Sequence, residues 1–75
     1  MDIRLLPRII GDDGKEIREN DFVIAQTFQM DEPSLAVINQ INTTVVTMTF
    51  TDLIYGGQPR MYRKNEIKYM KKSKQ

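Results

Sequence analysis

The chain has 75 residues, with 11 basic and 10 acidic side chains that give a net charge of +1, and it contains no cysteine and no histidine. A chain this short forms one domain, which buries only about 60% of the surface that its unfolded form exposes. The missing cysteines exclude disulfides and thiolate metal sites, and the missing histidines exclude the commonest general base and transition-metal ligand. We therefore expect a protein without enzymatic activity and without a cofactor or metal.

The N-terminal sequence and the lengths of the apolar runs bear on location. The first residues lack the basic region and the long apolar run of a signal peptide. No apolar run approaches the ~18 residues of a membrane span. We therefore expect a cytoplasmic protein with no membrane partner, and nothing in the sequence indicates a small-molecule substrate.

The first predicted element is a short hairpin. Residues 3–10 are apolar but contain Pro7, which predicts a strand that is bent or lies at an edge. A four-residue link, Gly-Asp-Asp-Gly, separates this run from residues 15–18 at hairpin spacing, and its Asp13-Gly14 pair suits a turn with positive φ. The two aspartates lack the ligand spacing of a calcium loop, so we interpret them as turn residues.

The next segment, residues 22–30, is rich in residues that favour β-strands. A period of two places four large apolar side chains on one face, with Gln26 interrupting the row, and this predicts a half-buried strand. The four are Phe22, Ile24, Phe28 and Met30. Pro33 follows and ends the run, because proline cannot donate a hydrogen bond to a neighbouring strand.

A second hairpin is predicted at the centre of the chain. Residues 35–41 and 44–51 favour β structure, and the short polar link Asn42-Thr43 joins them. In the second arm, alternation predicts three apolar side chains facing inward and the threonines facing outward. The inward residues are Val46, Met48 and Phe50.

The C-terminal part continues the β pattern. A glycine and proline cluster at residues 55–59 predicts a turn. Residues 60–63 follow as a strand, residues 64–67 as one tight helical turn, and residues 68–71 as a final short strand.

The chain has five methionines, which suit either irregular packing or an adaptable binding surface. Met30, Met48 and Met61 occupy expected inward positions of strands. Met70 lies between lysines and could instead face a partner.

Together these elements predict a mainly β fold: a small SH3-like barrel or curled antiparallel sheet of five to six short strands, with at most one helical turn. Closing the sheet removes exposed edges, which makes this architecture economical. Residues 1–70 are expected to form the single domain, and residues 71–75 a basic, flexible tail. No window shows the sustained periodicity and caps of a helical bundle.

Residues 11–23 read Gly-Asp-Asp-Gly-Lys-Glu-Ile-Arg-Glu-Asn-Asp-Phe-Val. This stretch resembles the opening element of YopX-like proteins and related small phage and prophage barrels, in which an Asn-Gly-Lys-Glu-Ile turn and strand leads into a Gly-Asp-hydrophobic-Val segment. Asn20 stands where glycine is usual, a mild departure because Asn tolerates the left-handed backbone conformation. The resemblance implies an SH3-like barrel encoded by a phage or prophage, acting in a bacterial cytoplasm, but no particular reaction.

Charge is distributed unevenly along the chain. Residues 1–59 hold four basic and nine acidic side chains, whereas residues 60–75 hold seven basic side chains and one acidic one. Such asymmetry is typical of polyanion-binding tails, and a solvated C-terminus gives the same pattern. The basic side chains of this segment and its two tyrosines are the candidate residues for binding nucleic acid or a partner: Arg60, Tyr62, Arg63, Lys64, Lys68, Tyr69, Lys71, Lys72 and Lys74.

Two interpretations of this basic segment stay open. Strand alternation would place Arg60, Tyr62 and Lys64 on one side, where the cations attract phosphate and the tyrosine ring stacks on unpaired bases. Alternatively, Tyr62 and Tyr69 close the barrel with their ring faces while the basic side chains stay solvated.

The sequence supports three hypotheses about function. The first is a non-enzymatic binding module that contacts a host protein, a phage protein or a second copy of itself, with apolar strand edges available for strand addition. The second is nucleic-acid binding through the basic C-terminal strand and tail. The third is inhibition of a host protein.

Overall fold

A computed structural model describes residues 8–52 and 56–73 of the chain. These residues form seven strands, all paired antiparallel, and one 3-10 turn, with no α-helix among them. The fold is mainly β, as predicted, and its single helical turn lies where the sequence predicted one. The elements are β1 (Ile9–Ile10), β2 (Glu16–Ile17), β3 (Phe22–Thr27), β4 (Ser34–Ile41), β5 (Val45–Phe50), β6 (Arg60–Arg63), the 3-10 turn Lys64–Glu66, and β7 (Ile67–Lys72).

Five of the strands form a curled sheet in the order β6-β5-β4-β3-β7. Strands β3 to β6 make a meander, and after the 3-10 turn β7 returns to pair with β3, so this turn connects the two edge strands. Strands β1 and β2 form a separate two-stranded hairpin. The total of seven exceeds the predicted five to six strands, and the two strands of this hairpin have only two residues each.

Local turn chemistry explains the two predicted hairpins, and both turns are confirmed; residues 3–7 of the first predicted arm, with Pro7, lie outside the described residues. Gly14 has a φ of 84° in the turn between β1 and β2, and its N–H donates to the Gly11 carbonyl oxygen at 2.9 Å. Between β4 and β5, the Asn42 N–H donates to the Val45 carbonyl oxygen at 2.9 Å. Asn20, which follows β2, adopts a φ of 73°, a conformation that asparagine tolerates better than most residues.

The predicted turn at residues 55–59 is described from Gly56 onward. Gly57 has a φ of 102°, and its N–H donates to the Phe50 carbonyl oxygen at 3.1 Å. A Cβ at Gly56 would collide with the backbone oxygens of Phe50 and Asp52. Glycine is thus required at position 57 by the backbone angle and at position 56 by a close backbone approach.

The core lies on the inner face of the curled sheet. The three predicted inward residues of β5 are at most 1% exposed, which confirms their orientation. The other buried apolar residues come mainly from the neighbouring strands: Ile17, Val23, Ala25, Met30, Ala36, Ile38, Ile41 and Met70. A core of this size supports a net stability of only about 3–5 kcal/mol, so each large buried side chain matters.

The face predicted for β3 is wrong. The buried side chains of this strand are Val23, Ala25 and Thr27, whereas Phe22 is 41% exposed and Phe28, which lies beyond the strand, is 68% exposed. Val23 lies opposite the equally buried Ala36 of β4. The small side chains of Val23, Ala25 and Ala36 therefore line the inner side where these two strands pair and leave room there for larger core residues such as Phe50.

Two predictions about methionines are also wrong. Met61 is 69% exposed, and Met70 is only 3% exposed. In β6, Tyr62 takes the inner face, so its neighbour Met61 points outward. In β7, Met70 pairs with a buried residue of β3 and joins the core. The inward positions of Met30 and Met48 are confirmed.

The last strand is longer than predicted. Strand β7 continues to Lys72, and the Ser73 N–H donates to the Phe22 carbonyl oxygen at 2.9 Å. Lys71 and Lys72 both pair with β3, so they belong to the sheet, and the prediction that a tail starts at residue 71 is wrong. Lys74 lies outside the described residues.

A pair of methionine substitutions tests the orientation of β5 and β6. Met48→Ala removes a fully buried side chain and should lower the free energy of unfolding by about 2–5 kcal/mol. Met61→Ala makes the same chemical change at an exposed position and should alter it by no more than about 0.5 kcal/mol. Urea titrations followed by circular dichroism measure both values. Equal effects of the two substitutions would contradict the register of these strands.

Candidate functional site

The predicted basic surface is divided between the two faces of the sheet. In β6, Arg60 lies opposite the buried Met48, on the inner side, whereas Arg63 lies opposite Val45 on the outer side. In β7, Lys71 lies opposite Ile24 on the outer side. The candidate residues therefore do not form one continuous surface. Those on the inner side are Arg60, Tyr62 and Lys72, and those on the outer side are Arg63, Tyr69 and Lys71.

Tyr62 belongs to the edge of the core. Its ring meets that of Phe50 edge to face, with centroids 5.9 Å apart and planes at 89°. Burial raises the pKa of the Tyr62 phenol above its ordinary value of 10.0, the Arg60 charge lowers it, and the Glu66 charge adds a smaller increase. For Tyr62 the structure agrees with the second interpretation, in which the ring packs against the barrel, because a ring held this way is not free to stack on a base.

Lys64 and Lys68 lie at the corner where the chain passes from β6 to β7. Lys64 is not part of β6, so the prediction that it shares a strand face with Arg60 and Tyr62 is wrong; its Nζ donates to the Arg8 carbonyl oxygen at 2.9 Å. Lys68 is exposed at a bulge in the pairing of β3 and β7. Both lysines line a cleft of about 330 Å³ between the first hairpin and β7.

Lys72 has an ionic partner. Its Nζ lies 3.4 Å from Oδ2 of Asp21, and the same carboxylate accepts a hydrogen bond from the Arg18 N–H at 2.8 Å. The lysine thus joins β7 to the turn that precedes β3. This contact reduces its availability to a polyanion.

Asp12 has a structural role that the sequence did not reveal. Its carboxylate accepts a hydrogen bond from the Met70 N–H at 2.7 Å, and its own N–H donates to the Met70 carbonyl oxygen at 2.8 Å. These two bonds attach the first hairpin to the outward edge of β7. The residues are 58 positions apart, so no local sequence pattern indicates the contact.

The opposite edge of the sheet, β6, is also poorly suited to strand addition. The Lys64 N–H donates to Thr44 of the preceding loop, so antiparallel alternation directs the backbone groups of Met61 and Arg63 away from β5. Glu66 accepts a hydrogen bond from the Arg63 N–H at 3.4 Å. The Met61 N–H also points away from β5, so this edge is only partly covered, but it is four residues long with an arginine at each end.

The outer face of the sheet carries a cluster of apolar side chains. Phe22 lies opposite Val37, and Ile24 lies opposite Leu35, at the positions that alternate with the buried residues of β3 and β4. Phe22 is exposed and the other three are half-buried. We call these four residues the outer patch.

The outer face continues from this patch across β5 to β6. Thr49 lies opposite Val37, and Thr47 lies opposite the exposed Met61. Lys71 stands beside the patch on β7, whereas Arg63 of β6 lies opposite Val45, at the other end of β5 from the level of Lys71. No acidic residue of β3 to β7 lies on this face, within the part of the chain that the structure describes. The outer face is thus an apolar patch with Lys71 beside it, and it continues into a surface lined by threonines.

Asp12→Ala tests the attachment of the hairpin to β7. Loss of the charge-assisted hydrogen bond to Met70 should lower the free energy of unfolding by about 1.5–3 kcal/mol and speed hydrogen exchange at the Met70 amide. Asp13→Ala is the matched control, because Asp13 accepts only a 3.2 Å bond from Lys15 in an exposed turn. Native-state hydrogen exchange by NMR distinguishes the two, and unchanged exchange at Met70 in Asp12→Ala would contradict the contact.

Tyr62→Phe tests the burial of the phenol. Because the folded state favours the neutral form, the stabilisation due to Tyr62 is complete below pH 10 and is lost as the pH rises through its raised pKa. The free energy of unfolding should therefore fall more steeply above pH 10 in the wild type than in Tyr62→Phe. Urea titrations from pH 9 to pH 12, with tyrosinate absorbance as a second signal, measure the difference, and parallel curves would show that Tyr62 is solvated.

No family model, curated protein or solved structure matches the chain. The described residues contain no helix long and apolar enough to cross a membrane, and no group of three or more acidic side chains placed to hold a metal ion.

Proposed function

We propose that the chain is a non-enzymatic binding module that contacts another protein through the outer face of its sheet. The observation that carries the proposal is the outer patch, in which the register of β3 and β4 gathers four large apolar side chains on the side facing away from the core. Apolar side chains grouped on a surface and bordered by polar ones are typical of protein contact sites. The resemblance to YopX-like proteins adds a phage or prophage setting in a bacterial cytoplasm.

The composition of the surrounding surface supports a protein partner. The threonines of β5 tolerate solvent and also pack against a partner without a large loss of side-chain entropy. Phe22 offers an exposed aromatic side chain, a residue type enriched at protein interfaces. Inhibition of a host protein would be one outcome of such binding.

Nucleic-acid binding is the second candidate. Tyr69 and Lys71 share the outer face of β7, and Lys68 is exposed at the bulge beside them. This arrangement offers a short basic and aromatic surface to a phosphate backbone. It ranks second because Tyr62 packs at the core and Lys72 is paired with Asp21, which removes two of the predicted contacts.

Two phenylalanine substitutions test the protein-binding proposal. Phe22→Asp places a charge within the outer patch, whereas Phe28→Asp makes the same change at a side chain that is more exposed and lies outside it. Affinity capture from a lysate of the source cells, quantified by mass spectrometry, should recover proteins with the wild type and with Phe28→Asp. The amount recovered with Phe22→Asp should be at least about tenfold lower.

Each outcome bears on the proposal. Recovery that is equal with both variants, or that falls equally with both, would place the binding surface elsewhere. Circular dichroism confirms that the two variants are folded before capture.

Gel-shift assays at low salt test the second candidate. Replacing Lys71, Lys72 and Lys74 with glutamine should weaken binding to any labelled DNA sequence about equally and should reduce the salt dependence. No shift of single-stranded or double-stranded DNA by the wild type would exclude it.

A further inference from the structure

We infer that a cavity at one end of the inner face of the sheet binds a small anionic molecule, whose carboxylate or phosphate group pairs with Arg60. We call it the inner cavity. It lies on the other side of the sheet from the outer patch, so this ligand site is independent of the proposed function. The position of the cavity, its charge, its polar side chains and its size support the assignment.

The inner cavity lies where the curl of the sheet brings the end of β3 toward β6. Thr27, the last residue of β3, lines it together with Gln29 and Met30 of the turn that follows this strand. Phe50 at the end of β5 and Tyr62 of β6 line it as well. Because residues from separate strands meet here, no local sequence pattern indicates the site.

Arg60 gives the inner cavity a positive charge. It is the only charged side chain among the described residues that line the cavity, and it takes part in no ion pair with another described residue. A guanidinium group matches the geometry of a carboxylate or a phosphate and can donate two parallel hydrogen bonds to it. The cavity therefore favours an anion over a neutral or cationic molecule.

The Tyr62 phenol responds to the same charge. Burial raises its pKa, the positive charge of Arg60 lowers it, and the negative charge of Glu66 raises it by a smaller amount. Glu66 does not line the cavity, and its carboxylate accepts a hydrogen bond from the Arg63 N–H at 3.4 Å. At this wall of the cavity, the charge of Arg60 thus outweighs that of Glu66.

Thr27 supplies a hydroxyl that has no hydrogen-bond partner within the described part of the chain. The residue is only 6% exposed, and it is the one polar residue that is buried among those described. Val23 and Ala25 hold the preceding inward positions of β3, so the threonine interrupts an apolar row. A nearly buried hydroxyl costs free energy unless it forms a hydrogen bond. An anion in the cavity would accept that bond, and the exposed Gln29 amide lies at the same cavity.

The size and the apolar wall of the inner cavity limit the ligand. Its volume of about 230 Å³ is below the about 300–1,000 Å³ of pockets that hold drug-sized ligands. The rings of Tyr62 and Phe50 meet edge to face, and Met30 adds a thioether, so these side chains form an apolar wall. The site therefore suits a small acid or phosphate ester with a short apolar or aromatic part.

Benzoate, phenyl phosphate, the neutral benzamide and the cationic benzylamine are probes of similar size that test the inference. Two-dimensional NMR titrations at constant ionic strength should show saturable amide shifts with benzoate or phenyl phosphate. The largest shifts should occur at residues that line the inner cavity, such as Gln29, Gly56 and Arg60. Benzamide and benzylamine should bind at least about tenfold more weakly, because neither offers an anion to Arg60. The tighter of the two anions identifies the preferred group.

Two arginine substitutions provide a matched pair. Arg60→Gln removes the charge of the inner cavity and should weaken binding of the tighter anion at least about tenfold. Arg63→Gln makes the same change in the same strand but on the outer side of the sheet, and it should alter the affinity by less than about twofold. Circular dichroism confirms that both variants are folded. An equal loss with both would show general charge attraction only and would overturn the site.

Thr27→Val tests the hydroxyl with little change in side-chain volume. It should weaken anion binding by about three- to tenfold. It should not lower the free energy of unfolding, because the hydroxyl has no partner among the described residues. A loss of stability with unchanged anion affinity would contradict the role of Thr27 in the site.

Other results of the titrations would overturn the inference as a whole. These are the absence of saturable shifts with either anion at concentrations up to about 20 mM, equal binding of benzoate and benzamide, and shifts confined to the outer patch. None of them bears on the capture of proteins through the outer patch, so the proposed function is tested separately.

Discussion

The pairing of β7 with β3 is the constraint on which the rest of the structure depends. It brings the last described strand against the first strand of the meander, with the 3-10 turn Lys64–Glu66 as the connection. The register buries Met70 opposite Ala25 and turns Lys71 outward beside Ile24. A shift of this register by one residue would turn every side chain of β7 to the opposite face of the sheet. The core, the outer patch and its basic border are therefore set together.

The outward edge of β7 is partly protected by the first hairpin. Strand β7 lies at the end of the sheet, and an uncovered edge invites pairing with other chains. The first hairpin covers it through the two hydrogen bonds between Asp12 and Met70. The hairpin thus protects part of the edge, and it also supplies the buried side chain of Ile17 to the core.

Sequence reasoning succeeded where local chemistry decides the structure and failed where a distant strand decides it. The turn at Gly14 and the alternation of β5 follow from backbone angles and from a contrast between apolar residues and threonines. Strand β3 has no such contrast, since Phe22 and Ile24 on one side and Val23 and Ala25 on the other are all apolar. Its orientation depends on the fit against β4 and β7, which no local pattern specifies.

In the candidate site, too, the local features were predicted and those that depend on strand pairing were not. The sequence correctly predicted a strand, a tight turn and a second strand over residues 60–71, but it treated their basic side chains as one surface. Alternation in β6 and the bulge at Lys68 distribute them over both faces and the corner between the strands. The outer patch was missed because Phe22 and Ile24 were assigned to the core and no face was predicted for Leu35 and Val37. A signal was present in the number of apolar residues in β3 and β4, which exceeds what one inner face of a thin sheet can bury.

The charge asymmetry of the chain gains a different meaning from this geometry. Seven basic residues near the C-terminus indicate polyanion binding when they are counted along the sequence. In the folded chain, Lys72 is held by Asp21, and Lys64 is bonded to the Arg8 carbonyl oxygen. Lys71 lies beside the outer patch. An apolar patch beside a single lysine suits a protein surface better than a phosphate backbone, because a duplex backbone offers nothing to cover Phe22.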